Sequence, residues 1–383
     1  MRVAQLIDSL APGGAEQSLV ALAPELRARG IELEVAYLGG AAPLATRLQA
    51  DGIPVTALGS EQGGSRIGNI RHTLRWLRAQ RPDLVHTTLF EADQAGRIAA
   101  RLARVPVVSS LVNVSYGPEH LADPGVRRSR LRAARRLDAF TAKRVVRFHA
   151  VTDVVADTMS ERLRVSRARI DVIPRGRSAA MLGRRTPERA ASIRRRLGVP
   201  DDARLVVAAA RHEYQKGLDV LLRAVPHITH DASKVIVVVA GRTGNATPDL
   251  ESLVAELGIA DVVSLLGERD DVPELLAAAD VFVLPSRWEG IGGVLIEAMA
   301  LEAPIVATDL APIREALGGE IAVLVPAEQP QLLAKAIVAT LESPADAARR
   351  TAMAYRTFVA SFEIAATADA TVAFYRRALG QPE

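Results

Sequence analysis

The chain contains no cysteine. That excludes a disulfide framework, a thiolate metal site and a cysteine nucleophile, and it suits a reducing compartment. Aromatic residues make up only 4% of the chain, so the stacking platforms that hold single-stranded nucleic acid are scarce. No apolar run approaches the roughly 18 residues a membrane span needs. The opening "MRVAQLIDSLAPGGAEQ" has a short apolar stretch that carries Asp8 and runs straight into a glycine turn, unlike a secretory signal. A cytoplasmic protein is expected, free or held at the inner face of a membrane. Two nucleotide fingerprints are also missing. There is no G-x-G-x-x-G after a strand and no Walker lysine, which argues against a nicotinamide dehydrogenase and a P-loop enzyme.

What is present reads as an α/β protein. The 383 residues suffice for two or three domains, and 49% of them are hydrophobic. Short β-branched runs alternate with amphipathic stretches, the pattern of a parallel sheet flanked by helices. "RVAQLID", "ELEVAYL", "IPVTAL", "DLVHTT", "VPVVSSLV", "RFHAVT" and "IDVIPRG" are expected strands. An Arg-rich stretch with Pro187 and Pro200 follows. The pattern then restarts with "ARLVVAAA" and continues through "KVIVVVAG", "VVSLLG", "VFVLPS", "APIVAT" and "IAVLV". Two Rossmann-like domains are expected, residues 1–177 and 178–361, facing across a cleft. A helical segment, about 362–383, is expected to return to the first. In such sheets ligands sit at the carboxyl ends of strands, so the strand-to-helix loops are where to look.

Three of these loops stand out. "DSLAPGGAEQS" puts Gly13 and Gly14 ahead of a helix, where backbone can approach an anion closely. "AAARHEYQKGLDVLLRA" puts Arg211 and Lys216 around a short loop, placed to clamp a diphosphate. "RWEGIGGVLIEAMA" sets Glu289 and Glu297 eight positions apart around Gly290, Ile291, Gly292 and Gly293. The glycine turn and the helix behind it suit phosphate. A carboxylate would be repelled by phosphate but accepts hydrogen bonds from sugar hydroxyls. Glu297 is therefore expected in the first helical turn, holding a ribose diol, and Glu289 nearer the transferred group. Each loop also has a plainer reading: an ordinary turn, exposed cations, a capping carboxylate.

Taken together, these stretches resemble the retaining glycosyltransferases of the GT-B fold, glycosyltransferase family 4. The E-x7-E pattern Glu289–Glu297 is the most specific part, supported by "RHEYQKGLDVLLRA", "LGERDDVPELLAAADVFVLPS", "GGAE" and "DVIPRG". The resemblance implies a hexosyltransferase that moves a sugar from a UDP- or GDP-sugar to a hydroxyl of a glycan, a glycolipid or a small molecule. Arg211 and Lys216 would hold the donor diphosphate, Glu297 the ribose, and Glu289 would lie by the donor sugar. Residues 290–293 would meet sugar and phosphate through their backbone. Gly13 and Gly14 would close over donor and acceptor, and Glu268 and Arg269 would edge the base pocket. Such enzymes need no metal and no cofactor, and the chain has no Asp-x-Asp.

The chain departs from the family at Arg175, where Asn is usual, and at Val112, which stands where a histidine usually lies near the reacting sugar. His86, Asn113 and His120 are the acceptor-side candidates, and His149 reads as structural. His227 and His230 sit three apart without further ligands, so no metal site is expected. Residues 127–147 hold nine Arg or Lys and one Asp. They suit an anionic membrane, and with it a glycan or lipid-linked acceptor, better than nucleic acid; a solvated helix face is the plainer reading. A non-catalytic sugar-nucleotide binder and a nucleotide-sugar epimerase of the same fold are the alternatives.

Overall fold

The structure, a computed structural model, describes residues 1–59, 64–231 and 234–382. It divides into two units, Met1–Ser178 with Phe362–Glu383, and Ala179–Ser361.

The first unit is built on seven parallel strands: β1 (Arg2–Ile7), β2 (Glu32–Tyr37), β3 (Val55–Ala57), β4 (Leu84–Thr88), β5 (Val107–Leu111), β6 (Arg147–Ala150) and β7 (Ile170–Val172). Their order is β3-β2-β1-β4-β5-β6-β7. β1, β4 and β5 are buried on both faces, which is why they read as continuous apolar runs rather than alternating ones. One face packs Val3, Ile7, Leu10, Leu19 and Leu26 with Phe374 and Tyr375 of the helix Ile364–Ala378. That helix lies 370 positions along the chain from Gln5 and still hydrogen-bonds to it. The other face packs Leu6, Trp76, Leu77, Ala95 and Ala99. Here the helix Phe90–Ala103 comes so near the sheet that a Cβ on Gly96 would sit 2.4 Å from Thr87 Cγ2. Burying each Leu, Ile or Val side chain contributes roughly 1.5–3 kcal/mol, and both faces are lined with them.

The second unit has six parallel strands: β8 (Arg204–Ala209), β9 (Val235–Ala240), β10 (Val263–Gly267), β11 (Val281–Leu284), β12 (Ile305–Thr308) and β13 (Val323–Val325). Their order is β10-β9-β8-β11-β12-β13. In each sheet the strand order reverses once, between β1 and β4 and between β8 and β11. Those are the points where flanking loops diverge and leave a crevice. The Arg-rich stretch becomes the short helices Ala179–Leu182 and Pro187–Arg196. Its arginines are not idle: Arg189 makes a two-pronged bond to Glu274, and Arg194 pairs with Asp280.

Candidate functional site

The loops leaving β8 and β11 meet at the second reversal point. After β8 the chain passes Arg211, forms a single tight turn over Tyr214–Lys216, and enters the helix Leu218–Asp231 through Gly217. Gly217 has φ +60, and a Cβ there would lie 2.1 Å from the Pro285 carbonyl oxygen, so only glycine lets the two loops touch. After β11 the chain runs from Pro285 to Gly292, whose φ of +76 turns it into the helix Gly293–Ala300.

Two of the sequence-predicted residues are in direct contact. Lys216 Nζ donates to Glu289 Oε1 at 2.5 Å, and Ser286 Oγ is 2.9 Å from the same oxygen. The side chains are 15% and 6% exposed, so this is a largely buried ion pair. Arg211 is half-buried at the end of β8, and its guanidinium makes no ion pair among the described residues. Gly290 and Gly293 are buried, and Ile291 turns its side chain into the core, so this stretch offers a ligand backbone only.

Glu297 lies further into its helix than the sequence predicts. The helix begins at Gly293, not beyond it, so Glu297 is its fifth residue and lies in the second turn. It is half-buried there. Of the expected base-pocket pair, Glu268 is exposed, while Arg269 grips Asp271 through Nε and Nη2, both at 2.6 Å. Asp271 is held below its ordinary pKa, chiefly by that bond. Among the described residues no group of three His, Asp or Glu is placed to hold a metal ion.

In the first unit, Gly13 is the N-cap of the helix Gly14–Ala28. The space beside the two glycines is filled by the chain itself. A Cβ on Gly13 would meet the Glu16 carboxylate at 2.4 Å, and one on Gly14 would meet Arg175 Nη1 at 2.8 Å. His86 is buried, and both its nitrogens are engaged: Nδ1 with Tyr375 Oη at 2.8 Å and Nε2 with Ser110 Oγ at 2.7 Å. Ser110 Oγ also lies 3.0 Å from His149 Nδ1, and His149 Nε2 lies 2.8 Å from the Ile173 carbonyl.

The direction of every bond in this relay follows from its end. A carbonyl only accepts, so His149 carries its proton on Nε2 and accepts at Nδ1 from Ser110. Ser110 then accepts from His86 Nε2–H, which leaves His86 Nδ1 to accept from Tyr375, while Gln5 Nε2 donates to the tyrosine oxygen at 2.8 Å. Burial pushes the His86 pKa down to about 3 and that of His149 to about 4, so both rings are neutral. Nothing in the sequence joined these groups, and His149 read as merely structural; only the fold lines them up across β1, β4, β5 and β6.

His86, Ser110 and His149 line a cavity of about 60 Å³ together with Ser18, Val112 and Arg175. It has room for a few water-sized groups. Val112 thus opens onto it. His120 is not in its lining; it sits in the turn Pro118–Leu121 with Nδ1 3.4 Å from Glu119, which also pairs with Arg162. Asn113 accepts from the Val114 amide at 2.8 Å. At the reversal point of this sheet, Asp8 takes hydrogen bonds from the Ala92 amide at 2.6 Å and the Glu91 amide at 3.4 Å, at the start of the helix Phe90–Ala103. Burial nonetheless raises its pKa to about 7.

The basic stretch forms the helix Arg128–Ala142. Its inward face buries Asp138 against the wholly buried Arg97 at 2.5 Å. Arg128, Arg132, Arg135 and Arg136 follow one another at i, i+4, i+7 and i+8, all exposed, with Phe140 beside them 59% exposed.

The model of Glycosyltransferase Family 4 matches residues 12–180, and that of Glycosyl transferases group 1 matches residues 203–343. D-inositol 3-phosphate glycosyltransferase of Kineococcus radiotolerans is 31% identical, over 96% of this chain and 91% of that protein. The Anabaena Alr3699/HepE structure in complex with UDP-glucose superposes with a TM-score of 0.86 at 23% identity, covering 98% of this chain and all of that one. Sucrose-phosphate synthase from Thermosynechococcus elongatus superposes with a TM-score of 0.83 at 19% identity, covering 99% of each.

Proposed function

Because the chain belongs to glycosyltransferase family 4, of the GT-B type, we propose that it moves a hexosyl group from a UDP- or GDP-sugar to an acceptor hydroxyl with retained anomeric configuration. The observation that carries this reading is the buried Lys216–Glu289 pair, on the loop that also carries Arg211, at the reversal point of the second sheet and ahead of the glycine turn. A UDP-type donor is further supported by the UDP-glucose bound to the Anabaena protein.

As the anomeric bond breaks, negative charge grows on the departing diphosphate. Arg211, Lys216 and the amides that open the helix Gly293–Ala300 stabilise it, a role in which one donor typically contributes roughly 3–4 kcal/mol. Lys216 is then shared between the diphosphate and Glu289, which keeps the ammonium at one place before the donor arrives. Glu289 Oε1 is already committed to Lys216 and Ser286, which argues against a protein nucleophile. The acceptor oxygen attacks the face the diphosphate leaves, and its proton passes to a diphosphate oxygen. Glu297 receives the ribose hydroxyls, and Glu268 and Arg269 edge the base. No metal is assigned a role, in keeping with the family resemblance. His86, Asn113 and His120 remain the acceptor-side candidates.

Arg211→Ala should lower transfer by about 10²–10³ with folding retained, and Glu297→Ala should mainly weaken UDP or GDP binding by calorimetry. Full activity in the first and unchanged affinity in the second would remove the site. The acceptor is proposed to be a glycan or lipid-linked hydroxyl. The arginine face of the helix Arg128–Ala142, with Phe140 at its margin, supports docking to an anionic bilayer. Co-sedimentation with phosphatidylglycerol vesicles at low salt tests it, and an absence of binding there rejects it.

A further inference from the structure

Arg287 belongs to none of the roles above, yet it sits between the two loops that form the site. Its side chain is 8% exposed. Nη1 and Nη2 grip Asp219 Oδ1 and Oδ2 at 2.8 and 2.7 Å. Nη1 also donates to the Tyr214 carbonyl at 2.6 Å. Nε and Nη2 both reach the Glu328 carboxylate. A guanidinium has five N–H donors, and here all five are used. Its flat face lies 3.9 Å from the centre of the Tyr214 ring. The backbone continues the seam. The Arg287 amide donates to the Gln215 carbonyl at 2.8 Å, and Gln215 Nε2 donates to the Trp288 carbonyl at 2.8 Å.

Three segments therefore meet on one side chain: the turn Tyr214–Lys216 after β8, the loop after β11, and the loop after β13 that carries Glu328. The first presents Lys216, and the second presents Glu289. We propose that Arg287 is a positioning residue that sets the distance between Lys216 and the glycine turn, and so controls the grip on the donor diphosphate without touching it. The inference rests on the donor site described above and goes beyond it. A lysine cannot replace this arginine. It has three donors radiating from a point, so it cannot hold two carboxylates and a carbonyl in one plane, nor lie flat on Tyr214.

The test uses the full chain with UDP and GDP as probes, read by calorimetry and by steady-state kinetics. Arg287→Lys and Asp219→Asn should each raise the Kd of the nucleotide that wild type binds, by at least tenfold for Arg287→Lys and less for Asp219→Asn. The donor KM should rise in step, with the acceptor KM unchanged. A general loosening of the second unit would move both KM values. Should Arg287→Lys fail to fold, Asp219→Asn and Glu328→Gln carry the test, because each removes only part of the seam. Wild-type affinity in folded variants, or equal rises in both KM values, overturns the positioning role alone. If wild type binds neither UDP nor GDP, the donor-site reading falls, and this inference falls with it.

Discussion

Removing Lys216 strands a carboxylate. Lys216→Met leaves Glu289, 6% exposed, with Ser286 as its remaining side-chain partner among the described residues. Breaking a buried pair from one side costs about 3–5 kcal/mol. The lysine is partly open to solvent, so about 3 kcal/mol is expected here. For a unit of this size that corresponds to a fall of roughly 6–12 °C in its melting temperature. Glu289→Gln should cost less, about 1 kcal/mol, because the ammonium, the more open of the two groups, recovers hydration more readily than the carboxylate. The double variant should then be more stable than Lys216→Met alone, since it buries no lone charge. Transfer activity should behave differently. The double variant should remain about 10²–10³ below wild type, because the diphosphate still lacks its cation. The chain has two tryptophans. In a Trp76→Phe background Trp288, beside the pair, reports unfolding of the second unit in urea, alongside a donor-turnover assay. Strictly additive losses in the double variant, or a wild-type midpoint for Lys216→Met, would refute the buried pair. Recovery of turnover in the double variant would refute the role of Lys216 on the donor.

Other outcomes follow from the same geometry. Asp8 has its pKa raised to about 7 by burial, so between about pH 4 and 7 the folded chain binds a proton that the unfolded chain has released. Stability in the first unit should therefore fall as pH rises through that window, by up to about 1.4 kcal/mol per pH unit. Urea midpoints at pH 4.5, 6 and 7.5 should show this slope reduced in Asp8→Asn; parallel curves would count against it. Tyr375→Phe should cost only about 1–2 kcal/mol, because Gln5 Nε2 already lies 3.2 Å from His86 Nδ1 and takes over as donor. Adding Gln5→Leu should cost distinctly more than the sum of the single changes, as a double-mutant cycle would show. Gly217→Ala forces a Cβ against the Pro285 oxygen. It should weaken UDP or GDP binding at least tenfold in calorimetry, and undiminished binding would mean the turn tolerates displacement.

The thirteen strands among the described residues were legible because buried parallel strands are short β-branched runs bounded by turn residues, as in "KVIVVVAG" and "VFVLPS". The loops carrying the candidate site were legible for a related reason: they follow those strands. What could not be read was distance. Lys216 and Glu289 are 73 positions apart, and no local pattern says that they pair. Glu297 was placed a turn too early because the start of a helix is set by backbone geometry, here the left-handed Gly292, and not by the first apolar residue. No sequence signal marks Arg287; only the fold brings Tyr214, Asp219 and Glu328 onto its side chain. The polar relay of the first unit was hidden most completely, since Gln5 and Tyr375 lie near opposite ends of the chain.

That last contact shapes how the protein is made. The helix Ile364–Ala378 belongs to the first unit, but 183 residues of the second unit, Ala179–Ser361, are synthesised before it. At 5–20 residues per second, the ribosome takes about 10–40 s to cover them. Through that interval the nascent first sheet lacks the apolar cover of Phe374 and Tyr375, and His86 and Gln5 lack the tyrosine hydroxyl. Pulse proteolysis of stalled chains should find the first unit cleavable up to about residue 361 and resistant once the last helix has emerged.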